Sequence, residues 1–416
     1  MARQAAVKRA IVALTLLALA ALLFGHDRVR DFVHGHGARG AGPAAPREAG
    51  GHDADVRDVR DVRGNREAGD GEAPAGSVDP ALLPSRGVMD EATVTALLPH
   101  LAHATWVRYD PLALVRVVPD LQLTMPWPEH AGGAVTLASN NLGFREDVPT
   151  APRAPRAPGT RVAVLGDSHT FGLVENRESF ANLLEARLSA ERPDAPCEVL
   201  NGGVTGTGPY ESRALLGVLL AELEPQAVVF VLYAGNDFLN ALAFADAEAR
   251  RPRQPMPLAA QQRLVAARAV ERDRLAQATN QAHSFRYRAG DADRALLAAL
   301  QDVLEMAQYC AERHARFLVA VLPCKEDCDR GDMEHMRAVL DTLQLCDEDL
   351  AVNGRLAARC VEALSAAGVD VVDLLPALRD QDRPMFWKRD HHLGVDGHRA
   401  VSRALLAPLR ELLDRR

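Results

Sequence analysis

Aromatic residues are scarce in this chain. Phe, Trp and Tyr together make up 5% of its 416 residues. That leaves no supply of stacking platforms for a single-stranded nucleic acid. Lysine is almost missing: Lys8, Lys325 and Lys388 are the only three, and arginine carries the rest of the positive charge. The formal net charge is -8, which disfavours any nucleic-acid partner. No Cys-x-x-Cys pair occurs among the six cysteines, so a zinc site has little support, and neither a metal nor a cofactor is expected. What is plentiful is apolar residue, 48% of the chain, enough to bury a large core.

The N-terminus carries one concentrated apolar run. Arg3, Lys8 and Arg9 precede Ala10 to Phe24, which contains IVALTLLALAALLF. A full membrane span uses about 20 apolar residues, so the run is short for one. No small-x-small cleavage site comes after it; the next residues are Phe24-Gly25-His26-Asp27. The expectation is an uncleaved signal-anchor over residues 1–34, with the basic flank in the cytoplasm and the rest of the chain outside it, on the periplasmic side of the cell membrane. Residues 35–77, with VRDVRDVRGNREAGDGEAPAG, are rich in Gly, Ala, Pro, Arg and Asp. They hold too few large apolar side chains to offset the entropy of ordering, and read as a tether.

Globular composition begins at Val78. Residues 78–160 read as short strands and turns packed on the larger domain that begins at Arg161, and they end in the Pro-rich connector PTAPRAPRAPGT. Residues 161–416 then alternate. Apolar runs stand at VAVLGD (from Val162), EVLNGG (from Glu198), AVVFVLYAGND (from Ala227), FLVAVLP (from Phe317) and VDVVDLL (from Val369). Continuous Val/Leu runs are what strands buried on both faces need. Helical patterns separate or succeed them, roughly at 180–190, 210–223, 293–313, 350–367 and 397–413. The rhythm predicts an α/β three-layer sandwich, flavodoxin-like, around a parallel five-stranded sheet. Residues 250–281 are Arg/Gln/Ala-rich, and they read as a helical insertion rather than a lid.

In such a sheet, ligands bind beyond the carboxyl ends of the strands. Reactive residue types stand there in this chain. The first strand runs into Gly166-Asp167-Ser168-His169-Thr170, the second into Asn201-Gly202-Gly203-Val204-Thr205-Gly206, and the third into Gly235-Asn236-Asp237. Beyond the fifth comes Asp390-His391-His392-Leu393. Each piece alone is ordinary: a helix cap, a strand-ending turn, a surface His pair. Together, and in this order, they supply a serine nucleophile, a histidine base, a carboxylate to orient it, and amides for a developing oxyanion.

These motifs resemble the SGNH/GDSL hydrolase superfamily from about Arg161 to the C-terminus. The resemblance implies Ser168 as nucleophile. It implies an oxyanion hole of the Ser168 N–H, Gly206 (five residues after Asn201) and the Asn236 amide. The family's commonest Asp-x-x-His spacing fails, since position 393 is leucine. The Asp-x-His variant fits and assigns Asp390 and His392, with His391 the competing base and His398 next after it. His169 replaces the family's common leucine. The resemblance implies an esterase acting on an ester-bearing small molecule, lipid or polysaccharide. Two alternatives stay open: an O-acetyltransferase acting on an exported polysaccharide, and a catalytically idle binding or assembly scaffold. Asn141-Leu142-Gly143-Phe144-Arg145, with Tyr109-Asp110-Pro111 upstream, is similar to a lead-in found in a bacterial subgroup, and reads as a structural turn with Phe144 in the core. In an exported chain at least one disulfide is expected, with Cys324 and Cys328 close enough in one loop to pair locally, while Cys197, Cys310 and Cys360, in or beside apolar segments, read equally as buried thiols.

Overall fold

The computed structural model describes residues 89–151, 159–270, 277–288, 290–329, 336–379 and 381–415. The apolar run at 10–24 and the tether at 35–77 lie outside the described residues. Among the described residues, no helix is long and apolar enough to cross a membrane.

Five parallel strands form the central sheet: β5 (Thr160–Gly166), β6 (Cys197–Gly203), β7 (Ala227–Tyr233), β8 (Arg316–Leu322) and β9 (Asp370–Asp373). Their order is β6-β5-β7-β8-β9, the 2-1-3-4-5 winding of flavodoxin-like sheets. Each of the five predicted apolar runs contributes one of them. Side chains alternate between two cores, as the period of a strand requires. Ala163, Leu165, Val228, Phe230, Val319 and Val321 face one side. Val162, Val164, Val229, Val231, Leu318 and Ala320 face the other.

The first side is covered by helices Pro209–Glu222, Asp237–Glu248, Asp291–Glu312 and Asp347–Ala366. The second is covered by Phe180–Glu191 and Val395–Asp414, through Leu184, Leu188, Val401, Leu405 and Leu409. The predicted helices are thus present with shifted ends. Asp237–Glu248 was not anticipated: its segment DFLNALAFADAE is apolar on most sides, and Phe238, Ala241, Leu242 and Phe244 are all buried. Residues 250–281 include the helix Leu258–Val270, and Gln277–Tyr287 comes next across a short gap. That second helix is anchored by buried Gln281, whose Nε2 donates to the Ala234 carbonyl (2.7 Å) and to Asn353 Oδ1 (2.8 Å).

Residues 89–151 hold the helix Glu91–Leu97 and two antiparallel hairpins, β1 (Val107–Asp110) with β2 (Leu114–Val117), and β3 (Gln122–Pro126) with β4 (Ala134–Ala138). Val94, Val107, Val115, Val117, Val135 and Leu137 join the first core, so this segment packs as part of the same body.

All six cysteines fall at described positions, and none is in a disulfide. The expected disulfide is therefore not formed, at the candidate pair Cys324 and Cys328 or elsewhere. Cys324 caps a four-residue helical turn that Cys328 ends, and Cys324 belongs to the core on one side of the sheet while Cys328 belongs to the other. Burial pushes the Cys310 and Cys360 thiols up to about 12, far from reactive thiolates.

Candidate active site

The parallel register brings Gly166, Gly203 and Tyr233 to one edge of the sheet. Ser168 comes directly after β5, as the first residue of the helical turn Ser168–Phe171. Asp167 caps that turn, its Oδ1 accepting from the His169 N–H at 2.8 Å. The turn lies so close on β6 that a Cβ on Gly203 would sit 2.1 Å from the Phe171 nitrogen. Only glycine fits there.

His392 comes from a closed loop. Gly394 N donates to the Met385 carbonyl (2.9 Å) and Trp387 N to the His392 carbonyl (3.0 Å). Inside the loop, Asp390 Oδ1 accepts twice from His392, from its backbone N–H at 2.7 Å and from ring Nδ1 at 2.6 Å. That is an Asx turn. It accounts for the Asp-x-His spacing, because the carboxylate that sets the ring also sets the backbone. With the Nδ1 proton given to Asp390, Nε2 is left as an acceptor, and it lies 2.8 Å from Ser168 Oγ. The structure brings Ser168, His392 and Asp390 into one hydrogen-bonded chain.

Electrostatics separate the histidines. Burial lowers the His392 pKa, but the adjacent Asp390 charge and its hydrogen bond outweigh that, and the net shift is upward. Burial also disfavours an ionised Asp390, yet the histidine charges and hydrogen bonds hold its carboxyl well below the usual range. His391 is pushed down to about 3 by burial and by His392. His169, wholly buried and lying against Tyr233 with centroids 3.8 Å apart, is lowered strongly by burial. His398 faces away: its Nδ1 accepts from the Phe180 N–H at 3.2 Å and its ring stacks on Phe180. Of the four imidazoles only His392 favours its protonated form more than usual.

Gly206 has φ +77°, in the left-handed region, and a Cβ there would come within 2.3 Å of the His100 ring. Its loop is held from the N-terminal segment: His100 Nε2 is 3.2 Å from the Thr205 carbonyl, and Trp106 Nε1 donates to Thr205 Oγ1 at 2.9 Å. Asn236 precedes the helix Asp237–Glu248, and its Oδ1 is buried with no hydrogen-bond partner among the described residues.

Several further side chains shape the site, most of them with no signal in the sequence. Glu129 accepts from Lys388 N (2.5 Å) and Arg389 N (2.9 Å), just before Asp390. Trp127 meets Trp387 edge-on with centroids 6.1 Å apart. Lys325 Nζ donates to the carbonyls of Trp387 and Lys388, both at 2.8 Å. Arg145 is fully buried: Nη1 donates to the Phe171 and Gly172 carbonyls, Nη2 to that of Val174, and Nε to Asn176 Oδ1. Arg145 thus holds the turn just beyond Ser168, and Phe144 lies in the core as expected. Asp167 and Asp237 form a second buried pair. Burial raises Asp167 to about 6, and burial together with the Asp167 charge raises Asp237 well above the carboxylate range.

A sheet wound 2-1-3-4-5 with a serine after its first strand and an Asp/His loop before its last helix defines an SGNH-type hydrolase. The chain belongs to the GDSL-like Lipase/Acylhydrolase family, which it matches over residues 164–400. Among solved structures, it is similar to TesA, at 17% identity and a TM-score of 0.38, covering 61% of this chain and 99% of that one. It is similar also to Axe2, an acetylxylan esterase from Geobacillus stearothermophilus, at 13% identity and a TM-score of 0.35, covering 60% and 94%. No curated protein sequence matches it.

Proposed function

We propose that the chain is a serine esterase that works through an acyl-enzyme on Ser168, and that its substrate is an acyl ester, such as acetyl, on a carbohydrate or lipid. The observation that carries the reading is the continuous chain from Ser168 Oγ to His392 Nε2 (2.8 Å) and from His392 Nδ1 to Asp390 (2.6 Å). Ser168 attacks the ester carbonyl while His392 takes its proton. Asp390 holds the tautomer and stabilises the imidazolium. The Ser168 and Gly206 N–H groups and the Asn236 amide receive the oxyanion. His392 then protonates the departing alkoxide, and a water deprotonated by the same histidine deacylates Ser168. The basic flank and apolar run at the N-terminus support a membrane-anchored enzyme with its catalytic domain outside the cytoplasm.

The test is hydrolysis of a short-chain chromogenic ester, with and without a polysaccharide acceptor. Ser168→Ala should lose several orders of magnitude in turnover while keeping its fold. Near-full activity in that variant removes the reading. Acyl transfer that outruns hydrolysis when acceptor is present moves it to an acyltransferase.

A further inference from the structure

Three imidazoles converge at this site, and the acyl-enzyme chemistry needs only one. His169 stands on the turn after Ser168, and His391 and His392 on the Asp390 loop. One ring nitrogen from each lies within 4.8 Å of the others. Both ring nitrogens of wholly buried His169, and Nε2 of His391, lack a hydrogen-bond partner among the described residues. Buried polar atoms without partners are rare in folded proteins and call for an explanation. A triad explains His392 alone.

We propose that His169, His391 and His392 form a binding site for one Zn2+ ion, and that occupancy of this site switches the hydrolase off. Tetrahedral zinc with bonds of about 2.0–2.1 Å places imidazole centroids about 5 Å apart. The three centroid separations here are 4.2, 4.8 and 5.9 Å, on both sides of that figure. Ligand nitrogens around such an ion stand about 3.4 Å apart, so the nitrogens close by at most about 1.4 Å from their 4.8 Å bound.

The donor set is all imidazole, which suits zinc and not magnesium or calcium. The His392 ring is already oriented for it. Its Nδ1–H is given to Asp390, which leaves Nε2 as the free lone pair, the carboxylate–histidine arrangement that supports zinc ligands. His391 is the least buried of the three rings. Ser168 Oγ lies 2.8 Å from His392 Nε2, so an ion on that nitrogen displaces the Ser168–His392 hydrogen bond. Coordination uses the same lone pair that would receive the serine proton. No bond to carbon forms or breaks; the ion replaces one hydrogen bond and leaves again with a chelator.

The inhibition rests on His392 acting as base, whereas the ion's binding does not. The experiment therefore reads both. Full-length protein is stripped with EDTA, and Zn2+ is titrated while bound metal is measured by competition with a chromogenic chelator. Ester hydrolysis and phosphonylation of Ser168 are measured in parallel. The expected result is one ion per site, turnover and phosphonylation reduced at least about tenfold, and full recovery with EDTA. His391→Asn should still hydrolyse ester without metal but need roughly tenfold or more Zn2+ for the same inhibition. Ser168→Ala should still take up the ion, and Co2+ in its place should give the intense visible bands of a tetrahedral site. Metal uptake through His391 in a protein with no esterase activity defeats the catalytic reading and leaves the site standing. An active enzyme whose Zn2+ uptake or inhibition is the same in His391→Asn overturns the site.

Discussion

Replacing Arg145 with methionine removes a buried cation but leaves its acceptors in place. The guanidinium makes four hydrogen bonds, three of them to main-chain carbonyls at 3.0, 2.7 and 2.8 Å. Burial lowers its pKa to about 10, so it stays charged at neutral pH. A methionine of similar length fills the space above the Phe171 ring, which the guanidinium now covers at 4.6 Å. The carbonyls of Phe171, Gly172 and Val174 then lose this donor. Each stranded buried acceptor costs about 1–3 kcal/mol. Three give roughly 3–9 kcal/mol, and the relief from no longer desolvating a cation offsets part of that. The expected net loss is about 4 kcal/mol, or a fall of roughly 6 °C in melting temperature for a body of this size. Urea unfolding should show a lower midpoint at an unchanged slope. Arg145→Lys should recover less than half, because one ammonium on a flexible stem cannot reproduce a planar fork. A loss below about 1 kcal/mol in the methionine variant would refute the claim that this cage secures the turn after Ser168.

His392→Ala should remove nearly all turnover, His391→Ala should lower it modestly, and Asp390→Asn should fall between; reversal of the two histidine results would make His391 the base. In EDTA, kcat/KM should rise with pH through a limb whose midpoint lies above about 6.5, since His392 must be neutral to act and its pKa is raised; a midpoint below that value counts against the Asp390 pairing. Gly206→Ala should cut kcat about a hundredfold, the effect of losing an oxyanion donor, because both its φ and the His100 ring force the loop to move. Glu129→Ala should lower kcat about tenfold with KM and melting temperature nearly unchanged, because two backbone N–H groups lose the acceptor that fixes the Asp390 loop; parallel changes in all three quantities would show a merely structural role.

The strands of the sheet were legible because each is a continuous apolar run, and only a two-sided core calls for that pattern. Ser168 was legible from its place between a strand and a turn. The Asp390–His392 pair came from the family's Asp-x-His spacing with His391 left in competition, and the structure shows why that spacing works: one carboxylate serves the backbone and ring of a residue two positions on. The supports of the site were not legible, since their contacts cross long stretches of chain. Glu129 stands 259 residues from Lys388, and nothing near it in sequence marks it. Arg145 lay inside a recognised segment, but its partners are carbonyls, which any residue carries. The cysteine expectation failed for a related reason. The spacing of Cys324 and Cys328 belongs to a helical turn that divides them between two cores, and spacing alone does not say which side of a sheet a thiol faces.

The chain has only three tryptophans, and all three border the site. Trp106 bonds the Thr205 side chain beside Gly206, and Trp127 and Trp387 meet beside the Asp390 loop. Two of them come from the N-terminal segment and one from the catalytic loop. Intrinsic fluorescence excited at the red edge of the absorption band is therefore a local signal in this protein, blind to the helices on the far side of the sheet. Emission will report whether residues 89–151 are seated against the hydrolase body, while far-ultraviolet dichroism tracks the whole fold. Divergence of the two signals during unfolding would mean that the site comes apart before the sheet does.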